Sequence, residues 1–371
     1  MSSNKRIIFL DIMRAFAVLM MVQGHTTDAL LANSYRTYDS VFFTLWENMR
    51  GFTAPIFMFT SGTVFTYLFK LNKLPFKENP RVVKGFKRFL LLVFIGYILR
   101  YPTWRIIDFS YVRAAQWKIF FGVDALHLIG FGLLFIILLA YLGEKIKLNY
   151  FYISATAALL FFVAYPFTLQ VNWTEILPTP AAAYFTRSTG SLFPFFPWAG
   201  YVIAGSVLGN YLARNEGVQR TAKFPLQLFI AAIILIAVYL IGNFYIEFIQ
   251  KHVEFFKENA FTAFFRLGIV LLLNSAAAFV SLKIERLPKL VAQIGRNTLL
   301  IYAVHLVILY GSAWNQGLYQ HIAKQLSIGE TLFAVAVMIS SMILMVYAIE
   351  KIKAAKKKYS SEKGILADEK V

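Results

Sequence analysis

Residues 6–25 read RIIFLDIMRAFAVLMMVQGH, an apolar run that carries Asp11, Arg14 and His25. A neutral imidazole serves as a general base near physiological pH, and a guanidinium grips phosphate or carboxylate through paired N–H donors. If the run is helical, 100° per residue brings Asp11, Arg14, Val18, Val22 and His25 within about 80° of one another around the axis. Arg14 and His25 then stand roughly 16 Å apart along it, too far to touch and within reach of one long ligand. Plainer roles are open to all three: Asp11 and Arg14 as a local i,i+3 ion pair with Arg14 snorkelling to water, and His25 as a hydrated residue at a helix end.

Ionisable residues recur in later apolar runs. Asp124 and His127 are spaced i,i+3, Arg266 opens another run, and His305 sits inside NTLLIYAVHLVILY at 297–310. Each alone suits a satisfied packing contact. Several on different segments imply a polar interior, because such groups are costly in hydrocarbon and face cavities or pathways. His25, His127 and His305 are the three of five histidines in or beside apolar runs, so one of them is the candidate base. The absence of cysteine excludes a disulfide framework, a thiol nucleophile and cysteine-ligated zinc, and no metal site is expected. No P-loop, GxSxG, HExxH or GxGxxG stands in a suitable context, so nucleotide hydrolysis, a nucleophile elbow and zincin chemistry lack support.

The elements that must hold these residues are membrane helices. The 371 residues are 58% hydrophobic and 15% charged, with a mean hydropathy of +0.61; ordinary soluble domains carry roughly 25% charge. Runs long enough, or nearly so, to cross a core of roughly 30 Å occur at about 7–25, 52–69, 86–101, 119–142, 150–169, 193–213, 225–246, 261–281, 297–313 and 331–349. They predict an all-α integral membrane protein of about ten transmembrane helices, with nine or eleven open because 86–101 and 297–313 are short.

Basic residues test that reading. With the N-terminus in the cytoplasm, 25 Lys and Arg fall inside, 11 fall outside and Arg14 lies within a span, an excess in the sense of the positive-inside rule at every loop. Both termini are then cytoplasmic. The net charge of +18 thus follows the membrane and argues against a nucleic-acid partner. Residues 1–350 read as one transmembrane domain and 351–371 as a basic cytoplasmic tail, solvated and frayed near anionic headgroups. The first span is expected to be retained, since Asp11 and Arg14 interrupt it and no small-x-small site follows. Pro194 and Pro197, ahead of a glycine-rich run, suit a helix start followed by close helix packing.

Four pieces in order carry a resemblance: Arg14-x10-His25, TAPIFMFTSG at 53–62, LFPFFPWAGYVIAGSVLG at 192–209 and IGRNTLLIYAVHLVIL at 294–309. From residue 6 to about 310 the chain resembles the transmembrane acyltransferase superfamily, which includes the acyltransferase-3 proteins and the heparan-α-glucosaminide N-acetyltransferase-like proteins. The resemblance implies a bundle of roughly ten helices that passes an acyl group, usually acetyl, from cytoplasmic acyl-CoA to an acceptor across the membrane. Matched to the family's motifs, Arg14 and His25 fall on its Arg-x10-His, Ser61 and Gly62 on its Ser-Gly, and His305 on its late histidine. Lys84, Lys87 and Arg88 of KGFKRF fall on the basic segment linked to CoA phosphates. The heparan-type branch places its histidine in the loop after the first span, where this chain has only Asp28, Asp39 and Glu47 as candidate groups. That departure favours acyltransferase-3, whereas FPFFPWAG and TAPIFMF lean to the heparan type.

The expected site is therefore catalytic His25, Arg14, Ser61, Asp124, His127 and His305, with Arg14, Lys84, Lys87, Arg88 and Arg296 holding acetyl-CoA or another acyl-CoA. Asp124 or Asp28 would orient an imidazole and Ser61 would serve the oxyanion; an acyl-histidine relay is the alternative to direct transfer. Trp46, Glu47, Arg50, Arg105, Arg113, Trp117, Trp173 and Arg187 suit either a sugar-bearing acceptor or interfacial anchoring. The expected partners are membrane lipids and a cell-surface glycan or glycolipid acceptor, in a bacterial inner membrane, with a homodimer possible in principle. A transporter or flippase using the same ionisable stripe, or a non-catalytic assembly subunit, is the competing class; no inverted repeat is evident.

Overall fold

The computed structural model describes residues 7–250 and 260–368. Lys5, Arg6, Lys251, Lys257 and Lys370, counted in the charge balance, lie outside the described residues. Among the described residues sixteen α-helices follow one another: α1 (Ile8–Leu30), α2 (Val41–Lys70), α3 (Pro80–Leu99), α4 (Ala114–Phe121), α5 (Ala125–Lys145), α6 (Tyr150–Val163), α7 (Tyr165–Leu169), α8 (Trp173–Ile176), α9 (Thr179–Ala182), α10 (Phe195–Arg214), α11 (Lys223–Gln250), α12 (Phe261–Ser281), α13 (Lys289–Arg296), α14 (Thr298–Tyr310), α15 (Leu318–Ile322) and α16 (Ile328–Asp368).

Starts are set by side chains that satisfy the first backbone N–H groups. Ser40 accepts from Phe43 N at 3.3 Å, Asn79 from Arg81 N at 3.0 Å with Pro80 in the first turn, Asp124 from Ala125 N at 2.6 Å and Asn149 from Phe151 N at 3.0 Å. Asp124 explains one departure from expectation: the run at 119–142 is not one helix but α4 and α5, parted at Gly122–Asp124.

Every expected span coincides with helix, yet among the described residues six helices (α1, α2, α5, α11, α12, α16) are long and apolar enough to cross a membrane, or seven if α13 and α14, bent by 72°, make one broken span. The others differ for physical reasons. Helix α6 has 14 residues, the first nine residues of α3 hold Arg81, Lys84, Lys87 and Arg88, and α10 is buried along most of its length, so protein rather than lipid sets its composition. A second correction concerns the tail. Instead of fraying after 350, α16 continues to Asp368.

We call the end of the bundle where α1 starts the near face and the end where it stops the far face. Helix α1 is shared by two apolar cores. Phe9, Leu10, Met13, Ala17 and Met21 join a large one with α2, α5, α6, α10, α11 and α12. Ala15, Val18, Val22, Ala29 and Leu30 join a smaller one with α13, α14 and α16. The tightest helix pair is α2 with α10, where a Cβ at Gly62 would meet the carbonyl of Val202, and one at Gly205 or Gly209 the carbonyls of Phe59 or Thr63. Backbone approach this close needs glycine on both helices.

Candidate active site

Helix α1 delivers His25 to the far face beside His305, which lies in the middle of the short α14. His305 Nδ1 is 2.7 Å from the carbonyl oxygen of Ile301, and its Nε2 is 3.3 Å from His25 Nδ1. A carbonyl only accepts, so Nδ1 of His305 carries the proton; its neutral Nε2 then accepts from His25 Nδ1–H. The network therefore leaves Nε2 of His25 with a bare lone pair, the group that a general base uses. His305 is fully buried and His25 partly accessible, and the Tyr310 ring packs edge-on against His25 at 6.2 Å.

Beside the pair lies a second polar group. Asp124, at the start of α5, accepts from Arg100 Nη2 at 3.2 Å, and Arg100 Nη1 donates to the Gly122 carbonyl at 3.2 Å. The Tyr302 side chain is close enough to Asp124 to interact with its charge, and its ring stands one helical turn from His305, with centroids 5.8 Å apart. His127 is turned away from the pair: its Nδ1 accepts from Asp124 N at 3.2 Å, and its ring packs over Gly96 and edge-on to Tyr97 at 4.4 Å.

The C-terminal end of α1 is held by Arg36 and Arg50. Arg36 donates to the carbonyls of Leu31 (3.1 Å) and Asp28 (2.5 Å) and to the Asp28 carboxylate (3.0 Å), satisfying carbonyls that a helix end leaves unpaired. Arg50 pairs with Asp28 at 2.6 Å and Glu47 at 3.1 Å, lies over the Trp46 ring at 5.4 Å, and packs its methylenes on Gly24. Asp28 is thus committed to arginines, and His305 occupies the position expected for an acid that orients the imidazole. Around this mouth Tyr101 stacks on Trp314 at 5.7 Å, Trp314 donates to the Trp104 carbonyl at 3.2 Å, and Arg105 covers Trp104 at 5.1 Å. Trp173 instead stacks on Phe185 at 4.5 Å, and Arg187 covers the buried Trp198 at 5.7 Å.

At the near face a cavity of about 1050 Å³ opens between α1, α2, α12 and the loops after α10 and α12. Arg14, Arg220, Arg286 and Arg296 line it, with Tyr67, Asp11 and Glu285. Arg14 lies 4.0 Å from Asp11 and Arg296 3.6 Å from Glu350 of α16. Gly295 lets α13 rest on the Asp11 carbonyl, since a Cβ there would come within 2.9 Å.

Of the residues expected at the site, His25, His305 and Asp124 gather at the far face, while Arg14 and Arg296 gather at the near cavity. Lys84, Lys87 and Arg88 lie on α3, which packs on α5 and contributes nothing to that cavity's wall. Ser61 donates to the Phe57 carbonyl at 2.8 Å; eleven residues along α2 from Arg50, it stands roughly 16 Å below the histidine level, away from any oxyanion there. Sequence reading missed Arg100, Tyr302, Tyr310, Arg220 and Arg286. Tyr302 alone carried a signal, sitting i−3 from His305 on the same helical face.

A bundle of apolar helices with a histidine pair at one end and an arginine-lined cavity at the other defines a multi-pass membrane protein with two polar sites. The family model of the acyltransferase-3 domain, described as acyltransferase domain, matches residues 7–350, and the chain belongs to this family of membrane acyltransferases. No curated protein matches the chain.

Proposed function

We propose that the protein takes an acyl group, acetyl in the first instance, from cytoplasmic acyl-CoA and passes it to a hydroxyl or amine of a cell-surface glycan or glycolipid on the opposite side of a bacterial inner membrane. The carrying observation is the alignment of two sites on one helix: the arginine cavity at Arg14 and the bare Nε2 of His25 lie at the two ends of a reach of roughly 16 Å. In this reading the near face is cytoplasmic, ten helical segments form the bundle with both termini inside, and residues after 350 form a basic appendage.

The donor's phosphates fit Arg14, Arg220, Arg286 and Arg296, whose guanidiniums suit charge-assisted pairing with phosphate. The pantetheine arm extends from Arg14 toward the histidines. His25 Nε2 takes the proton from the acceptor as its oxygen or nitrogen bonds to the thioester carbon. The tetrahedral adduct collapses with cleavage of the C–S bond, and the thiolate leaves with the proton returned by His25. His305 acts as a positioning residue that fixes the tautomer, and Asp124, held by Arg100, supplies a negative charge close to the imidazolium that forms.

Isothermal titration of purified protein with acetyl-CoA tests the donor. Wild type is expected to bind; Arg220→Ala with Arg286→Ala is expected to weaken binding at least tenfold, about 1.4 kcal/mol or more. Unchanged affinity in a folded double variant would remove the cavity from the donor's path.

A further inference from the structure

On the opposite side of the large core from the histidines, an apolar slot of about 430 Å³ runs between α6, α10, α11 and α12, with Phe59 of α2 at its floor. It exists because α6 packs on α10 and α5 while α11 packs on α12, and no close packing joins α6 to α11. Phe151 and Leu159 at its edge are exposed, so the slot opens sideways into the bilayer. From Phe151 to Phe162 it follows eleven residues of α6, roughly 16 Å. Its walls are alanines, leucines and phenylalanines, with one polar pair at the near-face rim, where the Tyr211 hydroxyl donates to Gln227 Oε1 at 2.8 Å.

Water is a poor occupant, since a buried water needs two to four polar partners and the slot offers one pair at one end. Hydrocarbon matches it, and the rim indicates which kind. Lys223, one turn before Gln227, and Arg214, one turn after Tyr211, are both exposed beside it, as are Lys145 and Lys147 in the turn that leads to α6. The nearby acids are engaged: Glu216 with Lys73 at 3.7 Å, and Glu144 with the Phe76 N–H at 2.9 Å. The donor's own acyl chain is kept out by the Phe9–Phe224 ring pair, 5.3 Å apart, which stands between the arginine cavity and the slot.

We propose that the slot between α6 and α11 is a binding site for one acyl chain of an anionic phospholipid of the near-face leaflet, its headgroup held at the rim by Arg214 and Lys223. The lipid completes the wall that α6 and α11 leave open, and this assignment is independent of the donor and acceptor proposed above.

Native mass spectrometry of protein purified in mild detergent, followed by re-addition of single lipids to stripped protein, tests it. Wild type is expected to retain one phosphatidylglycerol in preference to phosphatidylethanolamine by about tenfold or more, because basic side chains at the rim attract an anionic headgroup. Ala155→Phe, which fills the slot from α6, is expected to abolish retention. The double variant Arg214→Gln, Lys223→Gln, altered only at exposed positions, is expected to fold and to lose the preference. The proposal is overturned if stripped wild type takes up both lipids equally, if it takes up neither, or if the double variant keeps the wild-type preference; that variant decides the matter should Ala155→Phe fail to fold.

Discussion

At the scale of single residues, the proposed mechanism has its base, His25, oriented by another imidazole. A carboxylate partner would both fix the tautomer and stabilise the imidazolium; His305 does the first through its bond to Ile301 O and leaves the second to the charge of Asp124. His25→Ala is expected to lower kcat by about 10² to 10⁴-fold with donor affinity unchanged. His305→Ala should cost about tenfold, and the double variant no more than His25→Ala alone, because residues acting as a unit are not additive; steady-state kinetics and titration calorimetry read all three. Additive losses would separate the two roles. Both histidines stand out in the sequence as costly residues in apolar runs. Their contact does not, because they are 280 positions apart and helical periodicity carries no information across that separation. Arg100 was passed over since it ends a span, where an arginine needs no explanation.

At the scale of elements, the pairing of α2 with α10 holds the large core. Gly205→Val is expected to push a side chain into the Phe59 carbonyl and to lower stability by about 3 kcal/mol or more, overpacking having no room to relax between two backbones. Gly329→Ala on α16, where nothing lies within 4 Å of the added methyl, should be neutral or slightly stabilising, as alanine is the better helix former. Thermal melts of the two variants in detergent make the comparison. The helices themselves were legible because each needs a long apolar run. The break at Gly122–Asp124 was not, because Phe120, Phe121 and Val123 keep the run apolar across it and the capping role of Asp124 competes with its reading as an intramembrane acid. The close approach at Gly62 was hidden for a similar reason: Ser61 and Gly62 read as a family motif with Ser61 serving the oxyanion, whereas Gly62 meets the Val202 carbonyl.

At the scale of the whole molecule, the proposed orientation is directly testable because the chain has no cysteine. Single cysteines replacing Lys84 and Arg105, on opposite faces, should react with a membrane-impermeant maleimide from opposite sides of intact cells, Arg105→Cys from outside and Lys84→Cys only after permeabilisation. Labelling of both from one side would break the topology. The charge asymmetry that suggests this orientation was readable from loops one at a time. The arginine cavity was not, since Arg14, Arg220, Arg286 and Arg296 come from four segments that only the tertiary fold unites. One further consequence follows from the sharing of α1 between two cores. A carrier that alternates access must part its halves along a seam, and here the seam is occupied by the helix that holds both Arg14 and His25, so parting would dismantle the proposed site. On the proposed reading the scaffold serves vectorial transfer at rest: the travelling piece is a small group on a tether, and the polypeptide stays where it is.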